Sequence, residues 1–163
     1  MSTISAEREK EVDFSDPYFA ADQSLMVKKG SDIKTVEDVN GKVVGAQLGT
    51  TGADYAKDKT KAKSVRTYDL IDDAFKALEA GQVEAVINDC PVSSYAQKEH
   101  TSLAVVQALT THESYGFAFP SGSDALREAV NKELAPLKED GSVEKLSLKW
   151  FGEEPCKLEG AGT

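Results

Sequence analysis

The sequence predicts an α/β fold on a mostly parallel sheet covered on both faces, and three observations predict it. Short apolar runs of strand character alternate with amphipathic helical segments through the middle of the chain. The run at residues 83–87 is apolar except for Glu84, as suits a central strand buried on both faces. Turn residues stand where elements should begin or end, at Asn40-Gly41, Gly81 and Asp89-Cys90-Pro91.

Taken in order, Thr35 with Asp38 three positions on caps a one-turn helix that Asn40-Gly41 ends, and a strand follows at 42–46. Gly49-Thr50-Thr51-Gly52 then turns the chain into a helix through Asp54-Tyr55-Ala56-Lys57. The next strand is Ser64–Tyr68. Ile71, Ala74, Phe75 and Leu78 recur on one helical face, and Gly81 sits at the C-cap. After the strand at 83–87, Asp89 is placed to N-cap a helix whose first turn holds Pro91. Strands are expected at Leu103–Leu109 and 115–119. Leu126, Val130, Leu134 and Leu137 mark an amphipathic helix that Pro136 should kink or shorten by removing a hydrogen bond. Val143, Leu146 and Trp150-Phe151 mark the last helix. Residues 153–163, rich in Glu and Gly, read as a loosely held tail.

Composition narrows the function. The 163 residues carry 28 acidic against 19 basic side chains, a net charge of -9 that repels phosphate backbones and anionic lipid. Nucleic acid is therefore not expected as a partner. No apolar run approaches the roughly 20 residues that span a bilayer, and the first residues lack the basic and apolar regions of a signal peptide. Cys90 and Cys156 have neither C-x-x-C spacing nor a histidine cluster, so no metal is expected. They could form one disulfide if the fold brings the tail to the start of a helix, or remain free thiols. His100 and His112 lie in polar surroundings with no triad spacing, and both are expected to be solvated. No catalytic set and no cofactor motif is present.

Ligands of such sheets bind beyond the carboxyl ends of the strands. Gln47 and the Gly49-Thr50-Thr51-Gly52 turn place hydroxyls and backbone N–H groups at a helix N-terminus, where a carboxylate would fit. The plainer alternative is that Thr50 or Thr51 caps the helix and the glycines turn the chain. Asn88-Asp89 follows the central strand, and its carboxylate could hold an ammonium group or simply cap the next helix.

Several segments in one order resemble a known family: Ile4-Ser5-Ala6-Glu7-Arg8-Glu9-Lys10, Val12-Asp13-Phe14-Ser15-Asp16-Pro17-Tyr18, the Gly49-Thr50-Thr51-Gly52 turn, Asn88-Asp89, Tyr115-Gly116-Phe117-Ala118-Phe119-Pro120 and Lys149-Trp150-Phe151-Gly152. The chain is similar to the polar-amino-acid-binding proteins of ABC importers, and most to the glutamine binders. The resemblance implies a type II periplasmic-binding-protein-like fold, with two lobes closing on a free amino acid delivered to an ABC permease outside the cytoplasm. It implies that Arg8 clamps the ligand's α-carboxylate by a fork that lysine would not reproduce, with Thr51 and its N–H sharing that group. It further implies that Asp89 takes the α-ammonium and that Thr3 lines the first-lobe side. Selectivity would involve Gln47 and Asn88, where glutamine binders are expected to carry lysine and histidine.

Aligned on the family, residues 28–114 are expected to form a complete second lobe with a five-stranded sheet. Residues 1–27 and 115–152 would be a remnant of the first lobe and the hinge strands. Amphipathic helices with half a core should then expose apolar surface, to be covered by a homodimer, by segment exchange or by rearrangement, and ligand binding should be impaired. Two other readings accompany the transport one: a truncated or engineered fragment that assembles without binding ligand, and a dehydratase-like enzyme on the same fold.

Overall fold

A computed structural model describes residues 2–151. The chain order is β1 (Ser2–Thr3), β2 (Val12–Phe14), β3 (Phe19–Ala20), β4 (Gln23–Lys28), β5 (Val43–Gln47), α1 (Thr51–Lys59), β6 (Ser64–Tyr68), α2 (Ile71–Glu79), β7 (Ala85–Asp89), α3 (Cys90–Ala96), β8 (Leu103–Leu109), β9 (Ser114–Gly116), β10 (Ala118–Pro120), α4 (Asp124–Glu139) and α5 (Ser142–Phe151). Short 3-10 turns occupy Arg8–Lys10 and Val36–Val39. The second is the expected one-turn helix, and Asp38 accepts the Thr35 backbone N–H at 2.9 Å.

Five strands form the main sheet, in the order β6-β5-β7-β4-β8. It is mixed, which corrects the expected mostly parallel sheet. β5 runs parallel to β6 and β7, but β4 is antiparallel to both β7 and β8. The reason is β4 itself, a strand the sequence pattern does not announce. Its residues Gln23-Ser24-Leu25-Met26-Val27 are all buried, but the first two are polar, so the apolar run is too short to mark a strand. The sheet thus draws on residues 23–27, ahead of the expected start at 28.

Helices cover both faces, as predicted. Met26 and Val86 point into a cluster with Ala74, Phe75 and Leu78 of α2, while Leu25, Val27, Ala85 and Ile87 point into a second with Val44 and Ala56. The period of two along β4 and β7 divides the core in this way. Gly45 fits between them because a Cβ there would stand 3.2 Å from Val86 and 3.3 Å from Val83.

The remaining strands form a three-stranded antiparallel sheet, β1-β9-β3, and a two-stranded pair, β10-β2. The single strand expected at 115–119 is therefore two, broken at Phe117, whose ring stacks on Tyr18 at 4.7 Å. Pro136 does not shorten α4, which runs on to Glu139. Few residues of α4 and α5 are buried: Leu134 is, whereas Leu126, Leu146 and Trp150 are each more than half exposed. Cys90 is disulfide-bonded, and Cys156, like the predicted tail, lies outside the described residues.

His100 is not solvated as expected. Its Nε2 lies 3.0 Å from Asp72 and its Nδ1 3.2 Å from Glu79, both on α2, and its ring meets Phe75. Burial disfavours the charged ring, but the hydrogen bonds and charges of the two carboxylates outweigh it and raise the His100 pKa. Hydrogen bonds from Lys76 and then His100 lower Asp72, and those from Ser102 and then His100 lower Glu79. A raised histidine stabilises the fold fully below its unfolded value of about 6.5 and loses that contribution as pH rises through the folded value. The depressed carboxylates contribute above their unfolded values and lose it as pH falls through the folded ones. His100→Gln should therefore lower Tm more near about pH 5.5 than near about pH 9, measured by thermal melts across pH; an equal loss at both would refute the charged pairing.

Candidate functional site

The carboxyl ends of β5 and β7 lie side by side, and the segment around Arg8 reaches the turn after β5. Thr50 caps α1 by accepting the Ala53 N–H at 3.2 Å while donating to the Gln47 carbonyl at 2.8 Å. The capping alternative thus holds for Thr50, and Thr51 is left for another role. Gly49 adopts a φ of 72°, which glycine reaches without strain, and the turn presents the Gly49 carbonyl outward. Arg8 comes to meet it. Its Nη2 donates to the Gly49 carbonyl at 3.2 Å, and its Nη1 donates to the Ser2 hydroxyl and the Thr3 carbonyl at 3.0 Å each. Ser2, Glu7, Arg8, Glu11, Gly49, Thr51, Asp54 and Asp58 line one cleft of about 1030 Å³.

Asp89 does not cap α3 with its side chain, which corrects that alternative. Its carboxylate turns toward β4, where Gln23 is its cross-strand neighbour. Gln23 Nε2 donates to Asp89 Oδ1 at 2.7 Å, and the Tyr115 hydroxyl donates to Asp89 Oδ2. The same Nε2 lies 3.2 Å from Thr51 Oγ1 and within 3.4 Å of both Glu113 carboxylate oxygens. Thr51 in turn donates its hydroxyl proton to Glu113 at 2.5 Å. Burial, then the negative charge of Asp89, pushes the Tyr115 phenol above its ordinary range, so it remains a donor.

Three of the eight expected site residues stand apart from Arg8, the cleft and this network, Thr50 among them because its hydroxyl is spent on the cap of α1. Gln47 donates its amide to the Asp69 carbonyl at 3.0 Å, tying the end of β5 to the loop after β6. Asn88 pairs with Ser24 and by alternation lies on the opposite face from Asp89, nearly buried, its Nδ2 without a hydrogen-bond partner among the described residues. Thr3 is buried and meets Arg8 through its carbonyl. Arg8, Gly49 and Thr51 share the cleft, and Thr51 joins Asp89 through Gln23.

Sequence reasoning missed Gln23 and Glu113 and placed Tyr115 only in a strand. Gln23 carries a legible signal: a polar residue opens an apolar run that the sheet buries. Glu113 carries none, because its role depends on a long-range approach to Thr51.

The chain matches the model of the bacterial extracellular solute-binding proteins, family 3, over residues 1–153. It is 38% identical to the ABC transporter glutamine-binding protein GlnH of Bacillus subtilis (strain 168), over 95% of this chain and 57% of that protein. Thus it spans less than two thirds of that relative's length. Among solved structures, an ancestral arginine-binding protein bound to glutamine superimposes with a TM-score of 0.84 at 42% identity, covering 93% of this chain and 69% of that one. The ancestral amino acid-binding protein AncCDT-1, a precursor of cyclohexadienyl dehydratase, superimposes with a TM-score of 0.83 at 41% identity, covering 92% of this chain and 66% of that one.

Gly52 permits the close approach of α1 to this network, since a Cβ there would stand 2.7 Å from Gln23 Oε1 and 3.1 Å from the Ile87 carbonyl. Gly52→Ala should cost about 1–3 kcal/mol of stability by overpacking, measured by urea unfolding. No measurable loss would mean that α1 and β4 are less tightly apposed than described.

Proposed function

The chain belongs to the bacterial extracellular solute-binding proteins of family 3, and from that premise we propose that it binds a free polar amino acid, glutamine-like in class, for an ABC importer outside the cytoplasm. The observation that carries this is the contact between Arg8 and the Gly49 carbonyl beside Thr51, which joins residues from two distant segments at one cleft. A zwitterion needs an anion site and a cation site a few ångströms apart. The Arg8 fork and the Thr51 hydroxyl suit its carboxylate, and Asp89 suits its ammonium.

Each of these groups is paired within the protein. Ligand binding is then an exchange: a carboxylate replaces the Gly49 carbonyl on Arg8 and Glu113 on Thr51, while an ammonium takes its place at Asp89. Exchange keeps the side chains of Arg8, Thr51 and Asp89 hydrogen-bonded in both states. Because the cleft opens to solvent, a ligand held by these residues alone is desolvated on one side, and its affinity should be modest. Gln47, a neutral amide at the end of β5, fits an uncharged polar side chain once it releases the Asp69 carbonyl, whereas Asn88, buried on the opposite face of β7 from Asp89, is left out of this reading.

Residues 28–114, extended by β4, act in this reading as a complete second lobe, with the N-terminal and C-terminal segments as part of the first. The named relatives are binding proteins, and the two carboxylates at the site, Asp89 and Glu113, are held by neutral hydrogen-bond donors. That arrangement favours holding an ammonium over the acid or base work of the dehydratase alternative. Exposed Leu126, Leu137, Leu146, Leu148 and Trp150 leave apolar surface on α4 and α5, and we read that surface as the contact of a homodimer or of exchanged segments.

Calorimetry against the twenty amino acids should give saturable heat for glutamine or another polar member. Arg8→Lys should weaken that binding by about tenfold or more, since a point charge replaces a fork. Heat from none of the twenty, or equal affinity in Arg8→Lys, would overturn the reading. Sedimentation should show a dimer that Leu146→Glu with Trp150→Glu converts to monomer; a parent that sediments as a monomer would refute the proposed contact.

A further inference from the structure

We propose that Gln23 is the positioning residue of this site: its buried side-chain amide holds Thr51 and Asp89 together at the separation a zwitterion needs. The proposal rests on the reading of Thr51 and Asp89 as ligand groups.

The amide is fully buried, and its Nε2 carries two protons. Four acceptor atoms on three residues lie within 3.4 Å of it: Thr51 Oγ1, Asp89 Oδ1 and both oxygens of Glu113. The shortest contact, 2.7 Å to Asp89, takes one proton. The second is shared between Thr51 and Glu113. Because Thr51 spends its own proton on Glu113, its lone pairs remain for the amide. One side chain therefore fixes the N-terminus of α1, the end of β7 and the approach to β9.

The orientation of the amide follows from its surroundings. Turned over, Oε1 would face the carboxylate of Asp89 and that of Glu113, oxygen against oxygen. As placed, Oε1 lies against Gly52 and has no hydrogen-bond partner among the described residues. A buried acceptor without a partner lowers stability, and an apolar residue of similar size would avoid that loss. A residue present for packing alone has no reason to keep it. The donors on Nε2 are what the site gains in return.

Sharing also gives the amide a role when ligand arrives. A carboxylate that takes the Thr51 proton displaces Glu113, and the second amide proton then passes to Glu113. Asp89 keeps its bond throughout, so the ammonium site holds its place while the carboxylate site changes partner. Gln23 touches these two ligand groups and acts through them.

The test uses the full chain. Gln23→Leu conserves volume and removes both polar atoms. It takes donors from Asp89 and Glu113 and should melt below the parent, and the folded variant should bind glutamine about tenfold or more weakly, as the loss of hydrogen bonds to charged or ligand-bearing groups implies. A purely structural residue would not couple its neighbours. With Gln23 present, the losses caused by Thr51→Val and Asp89→Asn should fall short of multiplying in the double variant, and in the Gln23→Leu background they should multiply.

A second arm needs no ligand and no Gln23 variant. The Gln23 side-chain amide protons, assigned by through-bond NMR, should shift in both Thr51→Val and Asp89→Asn. The proposal is overturned if the amide shifts in neither, or if Gln23→Leu binds as tightly as a parent that does bind. A parent that binds no amino acid sinks the functional reading instead, and the amide shifts still decide whether Gln23 joins the two groups.

Discussion

The antiparallel ladder between β4 and β7 is the constraint on which the rest of the molecule depends. It sets Gln23 opposite Asp89, Ser24 opposite Asn88 and Leu25 opposite Ile87. A slip of one residue would turn every one of these side chains to the other face of the sheet. Leu25 and Ile87 would leave the core they share with α1, and Gln23 would lose Thr51. Core and site are therefore specified by the same register. The β-bulge between Leu25 and Met26 lies on the other edge of β4, against β8, which leaves the pairing with β7 undisturbed.

Much of the architecture was legible in the sequence, and the failures have physical causes. The strands β5, β6, β7 and β8 and the helices α1, α2 and α3 follow from apolar period and from Thr50, Gly81 and Pro91 at their ends. β4 was not legible because it opens on two buried polar residues, Gln23 and Ser24, which leave an apolar run of only Leu25-Met26-Val27, and its antiparallel direction leaves no mark on a local pattern. Phe117, between β9 and β10, has its backbone bonded to Ser15 and its ring stacked on Tyr18, partners about a hundred residues away in the chain. His100 looked solvated because its partners Asp72 and Glu79 are distant in sequence and adjacent only after α2 forms.

The site divides in the same way. Arg8, Gly49, Thr50, Thr51 and Asp89 could be singled out because turn chemistry or resemblance marks them. What the sequence could not say was how they are connected. An N-cap reading suited both Thr50 and Asp89, yet only Thr50 caps with its side chain, because Asp89 is claimed by Gln23 and Tyr115. Two donors reaching a carboxylate from a neighbouring strand and from β9 outcompete a single N–H of the following helix. Local rules rank possible partners, and tertiary placement decides among them.

The same competition explains why a site rich in charge can remain folded without a ligand. Asp89 and Glu113 flank one amide, and among the described residues neither forms a salt bridge. Two carboxylates in partial burial would repel each other and resist desolvation unless hydrogen-bond donors hold them. Gln23, Thr51 and Tyr115 supply those donors, each neutral and each fixed by a different element. A lysine or arginine in their place would satisfy the carboxylates more strongly, and an incoming ammonium would then have little to gain. Neutral donors balance the charge well enough for folding and leave an electrostatic deficit at Asp89 and Glu113, which is what the proposed ammonium site requires.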